Sequence, residues 1–235
     1  MLKQFDCVAI KLWQKLLAEA LGTFLLLSIG VGAIISTTAM HAGGVSTLIV
    51  ALAYGIALGI AVTAALYISG GHINPAVTVG MFVARRIGLR DTIAYILAQV
   101  VGATIAILVL MAVLPAHLGA AAGWGVPALA SGITVMQGVM IEALITFFLV
   151  FSVFMTAANE KIASRIGGLG VGLTLVVLAL FAGPFTGAAA NPAVFMGPAI
   201  ASGNFTNWYV YVIGDVAGGI IAALVCGYGL LRKGR

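Results

Sequence analysis

Six apolar runs, separated by connections that gather nearly all the charge, leave this 235-residue chain almost no choice of solvent. They occupy residues 16–36, 45–68, 92–113, 133–155, 166–181 and 208–231. A helix needs about 20 apolar residues to cross the hydrocarbon core of a bilayer, and these runs are of that order. With 63% of residues hydrophobic and 7% charged, a soluble globule would lack the polar surface to cover itself. The expected class is an all-α membrane protein.

The net charge of +5 would suit a nucleic-acid partner only if the cations shared a face with polar and aromatic readout groups. They are distributed differently. Lys3, Lys11 and Lys15 precede or open the first span, and Arg85, Arg86 and Arg90 fall between the second and third. Lys161 and Arg165 fall between the fourth and fifth, and Arg232, Lys233 and Arg235 follow the sixth, completing the 11 basic residues. The alternate connections, around His41, at 115–131 and at 185–207, contain none. The positive-inside rule therefore places both termini in the cytoplasm, and the expected location is the cell membrane. The length of the first run, and Glu19 within it, argue against a cleaved signal peptide. Cys7 and Cys226 both fall toward the cytoplasmic side, where thiols stay reduced, so no disulfide is expected.

The second half of the chain repeats the first. Glu19-Ala20-Leu21-Gly22-Thr23-Phe24 is echoed by Glu142-Ala143-Leu144-Ile145-Thr146-Phe147, and Tyr95-Ile96-Leu97-Ala98-Gln99 by Tyr211-Val212-Ile213-Gly214-Asp215. Most telling, Asn74-Pro75-Ala76 returns as Asn191-Pro192-Ala193, each time in a small-residue break after the second span of its half. One Asn-Pro is an ordinary turn or helix start, but two at equivalent places are a repeat. The chain is thus read as a single domain, 1–235, with repeats at about 12–113 and 133–231. Three spans per repeat is an odd number, so the second copy runs inverted through the membrane.

After each Asn-Pro-Ala come about ten moderately apolar residues, 75–84 and 192–201, which as helix reach about 15 Å, half the hydrocarbon thickness. They are expected to be re-entrant half-helices. Asparagine suits the N-cap and proline the first helical position. Inversion brings the two N-termini together at the midplane. Irregular backbone at that depth must face protein or a water-filled cavity, so the carbonyls of Gly70, Gly71, His72, Ile73, Gly187, Ala189 and Ala190 are expected to line a pore. Asn74 and Asn191 would offer donors at its centre, while two positive helix ends repel cations.

On these residues, and above all on Ser69-Gly70-Gly71-His72-Ile73-Asn74-Pro75-Ala76-Val77-Thr78, the chain resembles the aquaporin, or major intrinsic protein, family over essentially its whole length. The resemblance implies a right-handed bundle of six spans and two half-helices, one pore per subunit, a homotetramer, and a narrowest point at Tyr54, Ala179, Ala188 and Val194. Strict water channels of the family resemble a set of Phe, His, a small residue and Arg there; only an aromatic remains here. Valine after the second motif resembles a branch of plant vacuolar aquaporins and some bacterial channels linked to metalloids or small neutral solutes. Phe195 stands where glycerol facilitators usually place aspartate.

The expected function is a passive channel for water and small neutral solutes: urea, ammonia, hydrogen peroxide, metalloid acids and glycerol. A glycerol or metalloid facilitator with little water selectivity is the alternative, and an ammonium or ion channel a weaker one. Glu19 and Glu142 are read as structural carboxylates that accept backbone N–H groups of the pore loops. Asp215, where the family commonly has proline, and its counterpart Gln99 are read as polar groups bonding behind the half-helices. His72 is expected in the cytoplasmic vestibule, and His41 and His117 in external loops. No metal-ligand spacing, phosphate loop or partnered nucleophile is present, so neither an enzyme nor a cofactor is expected.

Overall fold

The computed structural model describes residues 10–159 and 163–231. Lys3, Cys7, Lys161, Arg232, Lys233, Arg235 and the side chain of Arg165 therefore lie outside the described parts. Among the described residues the chain forms nine α-helices. They are α1 (Leu12–Ala39), α2 (Val45–Ser69), α3 (Pro75–Val83), α4 (Leu89–Val113), α5 (Ala116–Ala121), α6 (Val135–Met155), α7 (Ala163–Thr186), α8 (Pro192–Ser202) and α9 (Trp208–Leu224). Helices α1, α2, α4, α6 and α7, together with α9 as it continues through a wider π-helical turn to Leu230, are long and apolar enough to cross a membrane. This is an all-helical integral membrane protein.

Several ends differ from the hydropathy boundaries for simple reasons. Helix α1 begins at Leu12 and carries Lys15 in its first turns, because a lysine stem packs on apolar surface while its head reaches water. Helix α7 runs through Pro184 to Thr186, so Phe185 is helical where a loop was expected. The connection at 115–131 is not bare loop either. It holds α5 and a short 3-10 turn, Gly123–Gly125, whose Trp124 ring lies where a side chain on Gly119 would have to go.

Lipid is as apolar as leucine, so helices in a bilayer associate through close contact of small residues rather than through hydrophobic burial. The packing follows that rule. A Cβ on Gly102 of α4 would collide with the Ala20 carbonyl of α1, and one on Gly218 of α9 with the Ala143 carbonyl of α6. Gly55 of α2 and Gly172 of α7 hold a third contact, where either added Cβ would strike the other helix's backbone. Helix α1 thus packs on α2 and α4, α6 on α7 and α9, and α2 on α7. Large side chains such as Leu97, Leu173 and Val177 point outward, where lipid would lie. Trp13 and Tyr67 stand exposed at one end of the bundle and Trp208 and Tyr209 at the other, as interfacial aromatics do.

The two short helices are exchanged between halves. α3 lies against α9, and α8 against α4. Gly80 and Gly219 permit the first contact, since added Cβ atoms would stand 3.2 Å from the Gly219 oxygen and 2.7 Å from the Ala76 oxygen respectively. Gly197 permits the second, 2.5 Å from the Ala103 Cβ. Each half therefore needs the other to bury its half-helix.

Candidate functional site at the paired Asn-Pro-Ala junction

Asn74 and Asn191 have extended backbones, and each side-chain oxygen accepts the N–H two residues on, Ala76 at 2.8 Å and Ala193 at 2.9 Å. With Pro75 and Pro192 at the first helical position, both half-helices start on caps that spend the asparagine oxygen and leave its amide hydrogens free. Those amides cross the junction. Asn74 Nδ2 donates to the Ala190 carbonyl at 2.8 Å, and Asn191 Nδ2 donates to the Ile73 carbonyl at 3.0 Å. The half-helix N-termini are thereby held head to head by two reciprocal bonds. Each amide keeps a second N–H, while Ile73 and Ala190 give one of their two carbonyl lone pairs to the junction itself.

Behind each junction strand sits a buried carboxylate. Glu19 accepts from the His72 N–H at 2.9 Å, the Ile73 N–H at 2.6 Å and the Ser69 hydroxyl at 2.6 Å. Glu142 accepts from the Ala189 N–H at 3.2 Å, the Ala190 N–H at 2.9 Å and the Thr186 hydroxyl at 2.5 Å. Turned backbone explains why a side chain must serve. Gly70, Gly71 and Ile73 have φ of 92°, 62° and 55°, and Gly187, Ala188 and Ala190 have 83°, 51° and 47°. A chain in that left-handed region cannot supply its own ladder of bonds.

Sequence reasoning missed the rest of this scaffold. Ser69 and Thr186 each bridge carboxylate and loop, accepting the Gly71 and Ala188 N–H groups at 3.1 Å. Tyr95 and Tyr211 hydroxyls donate to the Ser69 and Thr186 carbonyls, both at 2.9 Å. The signal was present, since all four residues stand at matching places in the repeated words. His72 is buried, with Nδ1 3.1 Å from Thr78 Oγ1 and its ring edge-on to Tyr95. His41 and His117 are exposed, and Cys226 is a buried free thiol.

Tyr54, Ala179, Ala188 and Val194 come from α2, α7, the second junction strand and α8, and all four line one cavity of about 270 Å³. Gly30 on α1 makes room for the Tyr54 ring. Gly187, Ala189 and Asn191 line the same cavity, so its floor is the second half of the junction. Leu26, Leu58, Leu149 and Leu175 form apolar wall, and Thr37, Thr38, Ser46 and Thr47 put hydroxyls around it. The side chains of Tyr54, Ala179, Ala188 and Val194 contribute a single hydrogen-bonding group, the Tyr54 hydroxyl.

Six apolar spans with two half-helices abutting at the floor of a cavity define a pore-type membrane protein. The chain belongs to the major intrinsic protein family, whose sequence profile matches residues 6–226 and whose members are channels. It is 41% identical over 218 residues to aquaporin TIP4-4 of Zea mays, covering 89% of this chain and 83% of that protein. It is 40% identical over 219 residues to aquaporin NIP1-4 of Oryza sativa subsp. japonica, covering 93% and 77%. Among solved structures, the aquaglyceroporin of Plasmodium falciparum shares the fold with a TM-score of 0.79 at 21% identity, over 94% of this chain and 98% of that one.

Proposed function

We propose that this protein is a passive channel for water and small neutral solutes whose selectivity is set at Tyr54, Ala179, Ala188 and Val194. The observation that carries the reading is the reciprocal pair of asparagine bonds at the foot of the cavity those four residues line. A solute reaching that floor meets amide donors and two positive helix ends, which favour a neutral hydrogen-bonding molecule over a cation. Above it, one hydroxyl among Ala, Ala and Val favours a permissive constriction that passes urea, ammonia, hydrogen peroxide, metalloid acids and glycerol along with water. The unoccupied lone pairs and carbonyls of the Gly70–Ile73 and Gly187–Ala190 strands complete the path.

The whole chain acts as one channel domain of two inverted repeats, and we assign it a homotetrameric state, which is typical of the family. The one-sided Lys and Arg distribution supports termini on the cytoplasmic side of the membrane. Stopped-flow light scattering on proteoliposomes with a panel of osmolytes is the direct test. Water flux with accompanying urea and glycerol flux is expected. Solute flux with little water flux would favour the facilitator reading, which the small side chains at positions 179 and 188 also suit, and no flux above empty liposomes would overturn both.

A further inference from the structure

The bonds from the two pore loops to Glu19 and Glu142 match partner for partner, but the residues behind those carboxylates do not. In the first half, Gln99 on α4 donates from Nε2 to Glu19 Oε2 at 2.7 Å and to Thr78 Oγ1 at 3.0 Å. The corresponding residue on α9 is Asp215, and the place of Thr78 is taken by Phe195, whose ring stacks on Tyr211 with centroids 4.6 Å apart. Asp215 is fully buried. Its carboxyl faces the Glu142 carboxyl and the Asn191 N–H, and Gly214 beside it packs so closely on α6 that an added Cβ would stand 2.9 Å from the Glu142 Cβ.

Thr146 Oγ1 donates to Asp215 Oδ1 at 3.1 Å, and no hydrogen bond of good geometry reaches Oδ2. The ionisable groups facing the carboxyl are Glu142 from α6 and Tyr211 from its own helix, and the Tyr211 hydrogen is committed to the Thr186 carbonyl. Helices α3 and α8, which also pack on α9, carry no ionisable side chain. Two ionised carboxylates are acceptors only and have nothing to exchange. Placed side by side without a cation, they would repel in the very spot that anchors the second junction strand.

We propose that Asp215 is a positioning residue for the second pore loop, and that it serves there as a carboxylic acid, sharing one hydrogen with Glu142 in the way the Gln99 amide donates to Glu19. That hydrogen lets the pair carry one charge rather than two. Glu142 then presents its acceptors to Thr186 Oγ1 and to the Ala189 and Ala190 N–H groups, the strand that sets Ala188 and Asn191 in place.

Infrared difference spectroscopy of the full chain in liposomes at neutral pH, wild type against Asp215→Asn, reads the shared hydrogen directly. The wild type is expected to show a protonated-carboxyl C=O band that shifts in deuterated water and is missing from the variant. Because asparagine supplies the same donor, Asp215→Asn is expected to recover most of the water flux and thermal stability lost in Asp215→Leu. Absence of the band from the wild type would overturn the proposal, as would a loss in Asp215→Asn as large as in Asp215→Leu. Should Asp215→Leu fail to fold, the spectrum and the asparagine variant still decide. Neither outcome depends on which solutes permeate.

Discussion

Val194 occupies the third position after Asn191, buried against the cavity that Tyr54, Ala179 and Ala188 share. Arginine there would add length, bulk and fixed charge to an otherwise apolar ring. The larger solute loses clearance first, while water can still bond the new donors. In Val194→Arg, urea and glycerol flux should fall about tenfold, a barrier rise of about 1.4 kcal/mol, and water flux by less. Paired stopped-flow measurements at equal protein density check this, and an equal loss of both would put the constriction elsewhere. Glu19 is a different kind of residue, fully buried and touching four donors. Glu19→Leu strands the His72 and Ile73 N–H groups, each at a cost of about 1–3 kcal/mol when buried. A lower melting temperature in detergent should accompany loss of flux; loss of flux with an unchanged melt would point to a direct role in permeation.

At the scale of helices, glycine decides which elements can touch. Gly102 places α4 directly on the α1 backbone, whereas nothing lies within 4 Å of a Cβ built on Gly32. Gly102→Ala should force α1 and α4 apart at a cost of about 1–3 kcal/mol. Gly32→Ala should be neutral or stabilising by up to about 1 kcal/mol, from helix propensity alone. Thermal unfolding of the two variants side by side checks the contrast, and equal behaviour would mean that the close contact contributes nothing. The half-helices depend on the same logic, since Gly80 with Gly219, and Gly197 against Ala103, let each lie against the other half's last span.

For the whole molecule, the distribution of charge makes two statements that can be checked. Gly88 lies in the Arg-bearing connection and Ala120 in a connection without cations, and both are exposed. In a background lacking Cys7 and Cys226, Gly88→Cys and Ala120→Cys should react with a membrane-impermeant thiol reagent from opposite sides. Labelling from the same side would refute the topology. The second statement concerns ions. Both half-helix N-termini still meet at the junction although no arginine follows the second motif, and each end acts as roughly half a positive charge. Sodium flux in proteoliposomes should stay far below water flux, and a comparable rate would show that the missing arginine had carried the barrier.

How much of this was legible beforehand follows from what each feature needs. Span number, the two half-helices and their caps depend on local chemistry: apolar length, an asparagine oxygen for a neighbouring N–H, a proline with no N–H to lose. Those are written along the chain, and the half-helices end within a residue of where composition put them, at Val83 and Ser202. The carboxylates Glu19 and Glu142 were visible as polar groups that lipid would not tolerate. Apart from those carboxylates, read from the start as acceptors for the pore-loop N–H groups, what stayed hidden were partners distant in sequence. That α3 lies on α9 and α8 on α4, that Ser69 and Thr186 bridge to the carboxylates, and that each asparagine amide bonds the opposite strand, all require two inverted copies to be brought face to face. The sequence alone determined that this chain crosses a membrane six times and breaks twice at its middle, because solvent and backbone geometry act residue by residue. Only the tertiary structure decided which groups close those breaks, because a buried N–H takes whichever acceptor packing brings within about 3 Å, wherever in the chain that acceptor lies.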